Sequence, residues 1–230
     1  MNDIYLEYKR KKGDSFFDES NFQIHTKNNL NNILQENIGE IKVFSTNNIK
    51  EVDSEGNSVE EITINSFKLI NGTMDEPLYN IYKTLFQIGN KYVLKLKKNS
   101  EIVEGPLFFK TFYFKTPEKP IKKNEEITMV HQMTIPNFNE PEEIPIKYKF
   151  LDIIKNDGEN LAKIEGKCSE YLKLKGEILT KFSIQMLIYY DFINGYFRKI
   201  ETEFESKFEN PTQNNESYIK IKGNSIRTKN

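Results

Sequence analysis

Long stretches of the chain alternate between apolar and polar residues. From residue 199 to residue 208, the even positions hold isoleucine, threonine, phenylalanine and serine, and the odd positions hold lysine and glutamate. Residues 144–150, 92–97 and 219–222 repeat this alternation. A period of two is typical of a strand that has one face in the core and the other in water. The pattern therefore predicts a mainly-β protein built from antiparallel strands.

Turn-forming dipeptides separate these alternating runs. Asn194-Gly195 favours a type I′ hairpin turn, because asparagine and glycine both tolerate positive φ. Asp157-Gly158, Glu55-Gly56 and Asn99-Ser100 stand at comparable places between other runs. The sequence therefore predicts a hairpin at each of these four positions.

Two segments have apolar residues at helical spacing instead. In residues 75–90, Asp75 is suited to cap a helix, Pro77 fits its first turn and Gly89 fits its end. In residues 28–38, the leucines and isoleucines also recur at helical intervals, which predicts a second short helix. A strand stays an alternative in both segments, since sheet context overrides weak local preferences.

The two halves of the chain carry similar elements in the same order, which suggests an internal duplication. Between them, residues 116–120 contain two prolines, and such a segment does not fit inside a central strand. We therefore predict a first β-rich lobe at 1–115, a connector at 116–120 and a second lobe at 121–230. Each lobe is expected to be a curved sheet or a partly closed barrel with one or two short helices.

Charge and hydropathy exclude two classes of protein. Lysine and arginine total 33 and aspartate and glutamate total 34, giving a formal net charge of -1. A nucleic-acid partner is not expected, because nucleic-acid binders carry a basic excess. No run approaches the roughly 18 apolar residues that span a bilayer, so no transmembrane segment is expected in this chain.

The residue types that usually carry catalysis or bind metals are scarce. The chain has one cysteine, Cys168, and two histidines, His25 and His131, that lie far apart in sequence. This inventory excludes a disulfide framework and a multi-cysteine zinc site. No glycine-rich phosphate loop or nucleophile elbow is present. We therefore expect no enzyme activity and no catalytic, cofactor or metal site, although a hydrolase that uses two carboxylates is an alternative.

Aromatic residues crowd two short segments. The candidate apolar or sugar-stacking surface comprises Phe109, Phe112, Phe114, Tyr190 and Tyr196. Aromatic rings provide large apolar contact areas for lipids and sugars. Packing within the core is the more ordinary role for the same residues, and the sequence favours it.

The order of elements from residue 91 onward resembles that of a known family. The segments that carry the resemblance are 91–104, the aromatic block 107–114, Pro117 to Pro120, 122–127, 144–150, Asp157-Gly158, 188–197 and 219–228. This order is similar to the β-rich region that precedes the OmpA-like domain in certain spirochaetal envelope proteins. The motifs are short, and no residue of the peptidoglycan-binding domain can be matched to this chain.

The resemblance implies a non-catalytic structural or binding module of the cell envelope. Its partner would be another envelope protein or a cell-wall component. It would lie in the periplasm or at the outer membrane, provided that a leader peptide is absent from this chain; otherwise the protein would be cytoplasmic.

A second functional hypothesis is a periplasmic carrier that holds a lipid or another apolar ligand inside a curved half-barrel. The two hypotheses predict different interiors. A scaffold should have a filled core, whereas a carrier should have an apolar cavity larger than a few water molecules.

Overall fold

The computed structural model describes residues 3–30, 33–110, 113–133, 142–156, 158–174, 178–210 and 215–230. The structure is 70% strand and 6% helix, which confirms the mainly-β prediction. The elements are β1 (Asp3–Ile4), β2 (Ser15–Leu30), β3 (Ile33–Val52), β4 (Ser58–Gly72), α1 (Glu76–Leu85), β5 (Lys91–Leu96), β6 (Ile102–Glu104), α2 (Leu107–Lys110), β7 (Ile121–Lys122), β8 (Glu126–Met133), β9 (Glu142–Asn156), β10 (Glu159–Leu174), β11 (Ile178–Asp191), β12 (Tyr196–Asn210) and β13 (Asn215–Lys229).

Eleven strands form one antiparallel sheet in the order β6-β5-β4-β3-β2-β13-β12-β11-β10-β9-β8. The first half of the chain supplies one side of the sheet and the second half supplies the other. They meet where β2 pairs with the C-terminal strand β13 along residues 16–29. The strands β1 and β7 form a separate two-stranded pair. The two predicted lobes are therefore parts of one continuous sheet.

The buried residues form two main hydrophobic clusters. One cluster is centred on Ile24, Ile41 and Leu94 in the first half. The other is centred on Ile164 and residues 182–190 in the second half, and it also takes in the N-terminal residues at 4, 6 and 8. The N-terminal segment therefore packs with the second half, and the domain boundaries stay a prediction.

The sheet curves so that its two edges approach each other. Ile102 of β6 and Val130 of β8 line the same hollow, together with Tyr113. The segment 113–116 lies between these edges: the Thr116 backbone N–H donates to the Asn99 carbonyl at 2.9 Å. Residues 113 and 115 line this hollow as well, so part of the segment 113–116 borders the space between the first and last strands of the sheet.

The predicted turns are hairpins in the structure, with one correction. Glu55-Gly56 connects β3 to β4, and Asn99-Ser100 lies between β5 and β6. The β9–β10 hairpin turns at Gly158, while its neighbour at 157 lies outside the described residues. The type I′ turn at Asn194-Gly195 is wrong, because only Gly195 has a positive φ, of 74°.

The physical reason for that correction is the length of the β11–β12 loop. The strand β11 ends at Asp191 and β12 begins at Tyr196, so four residues connect them rather than two. The Asp191 carboxylate accepts hydrogen bonds from the backbone N–H groups of Ile193 and Asn194 at 3.0 and 2.9 Å. This aspartate organises the loop locally, as aspartate does in many turns.

One of the two predicted helices is present. The helix α1 lies inside residues 75–90, and Asp75 occupies its N-cap position without a side-chain cap hydrogen bond. The helix at 28–38 is wrong, because β2 continues to Leu30 and pairs with β3 from Ile33. Pairing in a long hairpin overrides the helical spacing there, and Ile33 is 65% exposed rather than buried. The second helical element is instead the single turn α2.

Candidate functional site

A cavity of about 130 Å³ lies on the inner face of the curved sheet. Its lining comes from both halves of the chain: Phe22 and Ile64 belong to β2 and β4, and Ile146 and Ile200 belong to β9 and β12. An engineered apolar cavity of about 150 Å³ is large enough to bind benzene. The cavity therefore has the size that accepts a small organic molecule.

Short polar side chains of the four central strands form the floor of the cavity. They are Ser45 of β3, Ser20 of β2, Ser225 of β13 and Thr202 of β12. Ser20 and Ser225 are cross-strand partners, and their hydroxyl oxygens lie 2.7 Å apart. Because these side chains are short, they leave open the space that larger residues would fill in a close-packed core.

Gly223 permits close packing beside this floor. It lies opposite Phe22 on β2 and opposite Thr202 on β12. A Cβ atom at Gly223 would lie 2.6 Å from Thr202 Oγ1 and 3.0 Å from an atom of the Phe22 ring. A larger residue at this position would therefore displace two side chains that line the cavity.

Aromatic side chains cover the opposite side of the cavity. Phe108 and Phe109 of α2 line it, with their ring centroids 4.2 Å apart. Phe109 also packs edge-to-face on Tyr92, with the centroids 5.2 Å apart. Tyr113 and Phe114 belong to the segment 113–116 beside the sheet edges, and both line the cavity. The cavity thus has a polar floor and an aromatic cover.

The residues of the predicted aromatic surface do not all meet at one place. Phe109 and Phe114 line the cavity. Tyr190 is fully buried and packs on Phe114, with the centroids 6.3 Å apart. Tyr196 packs instead with Phe16 in a small separate cluster. Phe112 lies outside the described residues, and the aromatic binding surface stays a prediction.

A buried ion pair stands at one end of the cavity floor. The Arg227 guanidinium donates two hydrogen bonds to the Asp18 carboxylate, through Nε and Nη2, each at 2.7 Å. Arg227 also lies over the rings of Phe197 and Phe16, at 4.3 and 5.2 Å from their centroids. Paired forks of this kind are the strongest arginine–carboxylate contacts. The two opposite charges that line the cavity here therefore neutralise each other.

A second set of polar groups, the buried polar cluster, lies next to this pair and consists of Arg10, Asn47, Ser58, Glu60 and Tyr113. Arg10 forms an ion pair with Glu60, and the side chains of both are almost completely buried. The Glu60 carboxylate also accepts hydrogen bonds from Asn47 at 2.9 Å, Ser58 at 3.1 Å and Tyr113 at 3.3 Å. Buried charges are tolerated when they are paired and hydrogen-bonded in this way.

The electrostatics of the cluster favour the ionised carboxylate. Burial by itself raises the pKa of Glu60, but the Arg10 charge and the Asn47 hydrogen bond outweigh it, so the pKa of Glu60 is lowered. Burial also raises the pKa of Tyr8, over whose ring Arg10 lies, to about 12. Glu60 is therefore charged and Tyr8 neutral at neutral pH, and each group has a structural partner.

His131 is a buried neutral histidine at the edge of the cavity. It lies on β8, and its Nε2 is 3.0 Å from the Tyr148 hydroxyl oxygen. Burial, together with the nearby Lys115 charge, lowers the pKa of His131 to about 4. At neutral pH its ring is therefore uncharged and only weakly basic.

The charged residues at the cavity were missed by the sequence analysis. Asp18, Glu60, Arg10 and Arg227 stand in ordinary alternating stretches and form no motif. One signal was available: the chain has only three arginines among 33 basic residues. Arginine suits buried ion pairs better than lysine does. Two of the three arginines do in fact form such pairs.

The remaining candidate groups lie away from the cavity or are unreactive. Burial raises the pKa of the Cys168 thiol to about 11, so little reactive thiolate forms at neutral pH. His25 lies 2.7 Å from the Glu36 carboxylate at the rim of another part of the sheet. Within the described ranges, no three histidine, cysteine or acidic side chains come together as a metal site.

No protein-family model matches the chain, and no curated protein matches it either. Among the described residues, no helix is both long enough and apolar enough to cross a membrane.

Proposed function

We propose that this protein is a non-catalytic binding module that holds a small apolar ligand in the cavity on the inner face of its sheet. The observation that carries the proposal is the cavity itself, about 130 Å³ in volume and lined by aliphatic and aromatic side chains from both halves of the chain. Ligand sites are typically concave and mostly apolar, with a few convergent polar groups. This corresponds to the carrier hypothesis more closely than to a scaffold with a filled core.

The placement of the cavity supports binding. The first and last long strands of the chain, β2 and β13, pair with each other directly beneath the cavity. Phe108 and Phe109, on the short α2 segment, cover it from the other side. A small apolar molecule would therefore contact residues that are far apart in the chain, and its binding would stabilise the folded form by mass action.

The chemistry of the lining supports a non-catalytic role. The acidic groups near the cavity, Asp18 and Glu60, are each engaged by an arginine. His131 is only weakly basic because burial lowers its pKa to about 4. A general base normally needs a pKa near the working pH. Asp18, Glu60 and His131 are therefore suited to shaping the wall of a binding site and poorly suited to transferring protons.

The cell-envelope setting is part of the proposal and rests on the sequence resemblance. A partner in that setting would be another envelope protein or a cell-wall component, and the ligand would be part of a lipid or a similar apolar molecule. The proposed binding does not depend on this setting.

The proposed function is tested with toluene, an uncharged probe that matches the volume of the cavity. Thermal unfolding is followed with and without toluene for the wild type, for Ser225→Leu and for Ser169→Leu. Ser225 lies on the cavity floor, whereas Ser169 is exposed on β10 and serves as the matched control.

Toluene should raise the unfolding temperature of the wild type and of Ser169→Leu in a saturable manner. It should have little effect on Ser225→Leu, because the leucine occupies the ligand volume. An equal response in all three proteins would refute binding in this cavity.

A further inference from the structure

The floor of the cavity places hydroxyl groups side by side in a space that is lined mostly by apolar side chains. Ser20 and Ser225 are directly opposite each other on β2 and β13, and Ser45 lines the same floor from β3. The hydroxyl oxygens of Ser20 and Ser225 lie 2.7 Å apart. A serine hydroxyl has one donor and two acceptor sites. One of the two hydroxyls donates to the other, so each serine can still accept a hydrogen bond from a ligand and only one of them can also donate one.

The charges beside this floor are already satisfied. Arg227 and Asp18 bind each other through two hydrogen bonds of 2.7 Å, and aromatic rings lie against the guanidinium. A ligand with a carboxylate would have to displace Asp18 to reach Arg227, and a ligand with an ammonium group would have to displace Arg227. Breaking a buried pair in this way leaves an uncompensated charge, which is strongly unfavourable.

We infer that the ligand of the proposed site is an apolar molecule with one uncharged hydrogen-bonding group, such as a hydroxyl, which binds at Ser20 and Ser225. This inference rests on the proposed function and adds the chemistry of the ligand to it. The apolar body of the ligand lies between Phe22, Ile64 and the aromatic cover, and its polar end points to the serine floor. Neutral hydroxyls satisfy the polar end without disturbing the ion pair.

The test uses four probes that share one aromatic ring and differ in one substituent. They are toluene, benzyl alcohol, benzoate and benzylammonium, and their binding is measured by isothermal titration calorimetry at pH 7. Benzyl alcohol should bind at least as tightly as toluene, even though its hydroxyl loses water on binding. Benzoate and benzylammonium should each bind at least about tenfold more weakly than benzyl alcohol. Each loses water from its charged group, and the opposite charges in the cavity are already paired with each other.

Substitution of the floor separates the role of the serines from that of the cavity. In Ser20→Ala/Ser225→Ala, the affinity for benzyl alcohol should fall by about threefold to tenfold, the range of one lost hydrogen bond. The affinity for toluene should not fall. The matched control Ser169→Ala should bind both probes as the wild type does.

The outcomes distinguish the inference from the function on which it rests. If toluene binds and the double variant binds benzyl alcohol as tightly as the wild type does, the inference is wrong and the proposed function stands. Tighter binding of benzoate or benzylammonium than of benzyl alcohol would also overturn the inference, in favour of a charged ligand. If none of the four probes binds, both the inference and the proposed function fail.

Discussion

Side chains on the inner face of the sheet are packed more loosely at its centre than on its second-half flank. On the second-half flank, the side chains of Phe150, Ile164, Phe182 and Ile188 are almost completely buried and belong to one hydrophobic cluster. At the centre, serines and a threonine occupy several of the inward positions, and a cavity lies above them. All of these strands share the same alternation of inward and outward residues. The size and polarity of the inward side chains therefore decide which part of the sheet is a filled core and which part is a site.

The strongest contrast is expected from truncating a side chain of the filled flank. Phe182 is 1% exposed, and Phe182→Ala should lower the free energy of unfolding by about 4 kcal/mol, because it removes buried contacts and leaves a void. The same substitution at the cavity, Phe22→Ala, should lower the free energy of unfolding by less than Phe182→Ala does, because the Phe22 ring already borders open space. Urea unfolding at pH 7 measures both values. Equal losses at the two positions would show that the centre is packed as tightly as the flank.

The ion pair at the end of the cavity provides the next largest effect. Arg227→Met should destabilise the protein by about 3 kcal/mol, because Asp18 then keeps a charge without its partner. The double variant Asp18→Asn/Arg227→Met should recover a large part of this loss. Chemical unfolding of the three proteins gives the coupling between the two residues. An effect of Arg227→Met below about 1 kcal/mol would mean that water solvates Asp18 well.

The third effect is a dependence of stability on pH that comes from His131. Its pKa is about 4 in the folded protein, against 6.5 as the ordinary value. Between these two values the unfolded chain binds more protons than the folded one, so stability falls as the pH falls from about 6.5 to about 4. The loss attributable to His131 should not exceed about 3 kcal/mol.

The matched variant for this effect is His131→Gln, which keeps a hydrogen-bond acceptor near Tyr148. Unfolding free energies measured at pH 7, 6, 5 and 4 should decline less steeply in His131→Gln than in the wild type. Carboxylates such as Glu60, whose pKa is lowered, still contribute acid sensitivity at the low end of the range. Parallel pH profiles for the two proteins would contradict the assignment to His131.

The smallest effect is expected when a small residue is replaced by leucine, once on the filled flank and once at the cavity. Ala162→Leu, on the filled flank, should cost about 1–3 kcal/mol, because a fully buried alanine has no space beside it. Ser225→Leu should change the stability by less than about 1 kcal/mol, since the cavity can receive the added carbons. Thermal and urea unfolding give the ranking. A greater loss for Ser225→Leu than for Ala162→Leu would reverse the comparison.

The sequence predicts strands well wherever burial is one-sided. The alternation at 199–208 lies within β12, where Ile200 and Ser206 are buried on one face and the charged residues of the other face are half-buried. The pattern at 28–38 failed for the opposite reason. Ile33 and Leu34 are largely exposed in the β2–β3 hairpin, so the spacing of these apolar residues does not mark a buried helix face.

The cavity could not be predicted because it depends on pairing between distant strands. Ser20 and Ser225 are 205 residues apart in the chain and meet only because β2 pairs with β13. A local pattern does not specify which strands become neighbours. The aromatic segment containing Phe109 and Phe114 was identifiable from its composition, but its position over the serine floor was not.

Xenon-129 NMR tests the central claim most directly, because xenon binds in dry apolar cavities of this size without any specific contact. The claim is that an accessible and mostly apolar cavity lies above the serines at the centre of the sheet. We expect a saturable xenon shift and slowed exchange for the wild type and for Ser169→Leu, and neither for Ser225→Leu. A xenon signal that is the same for all three proteins and for buffer would contradict the claim.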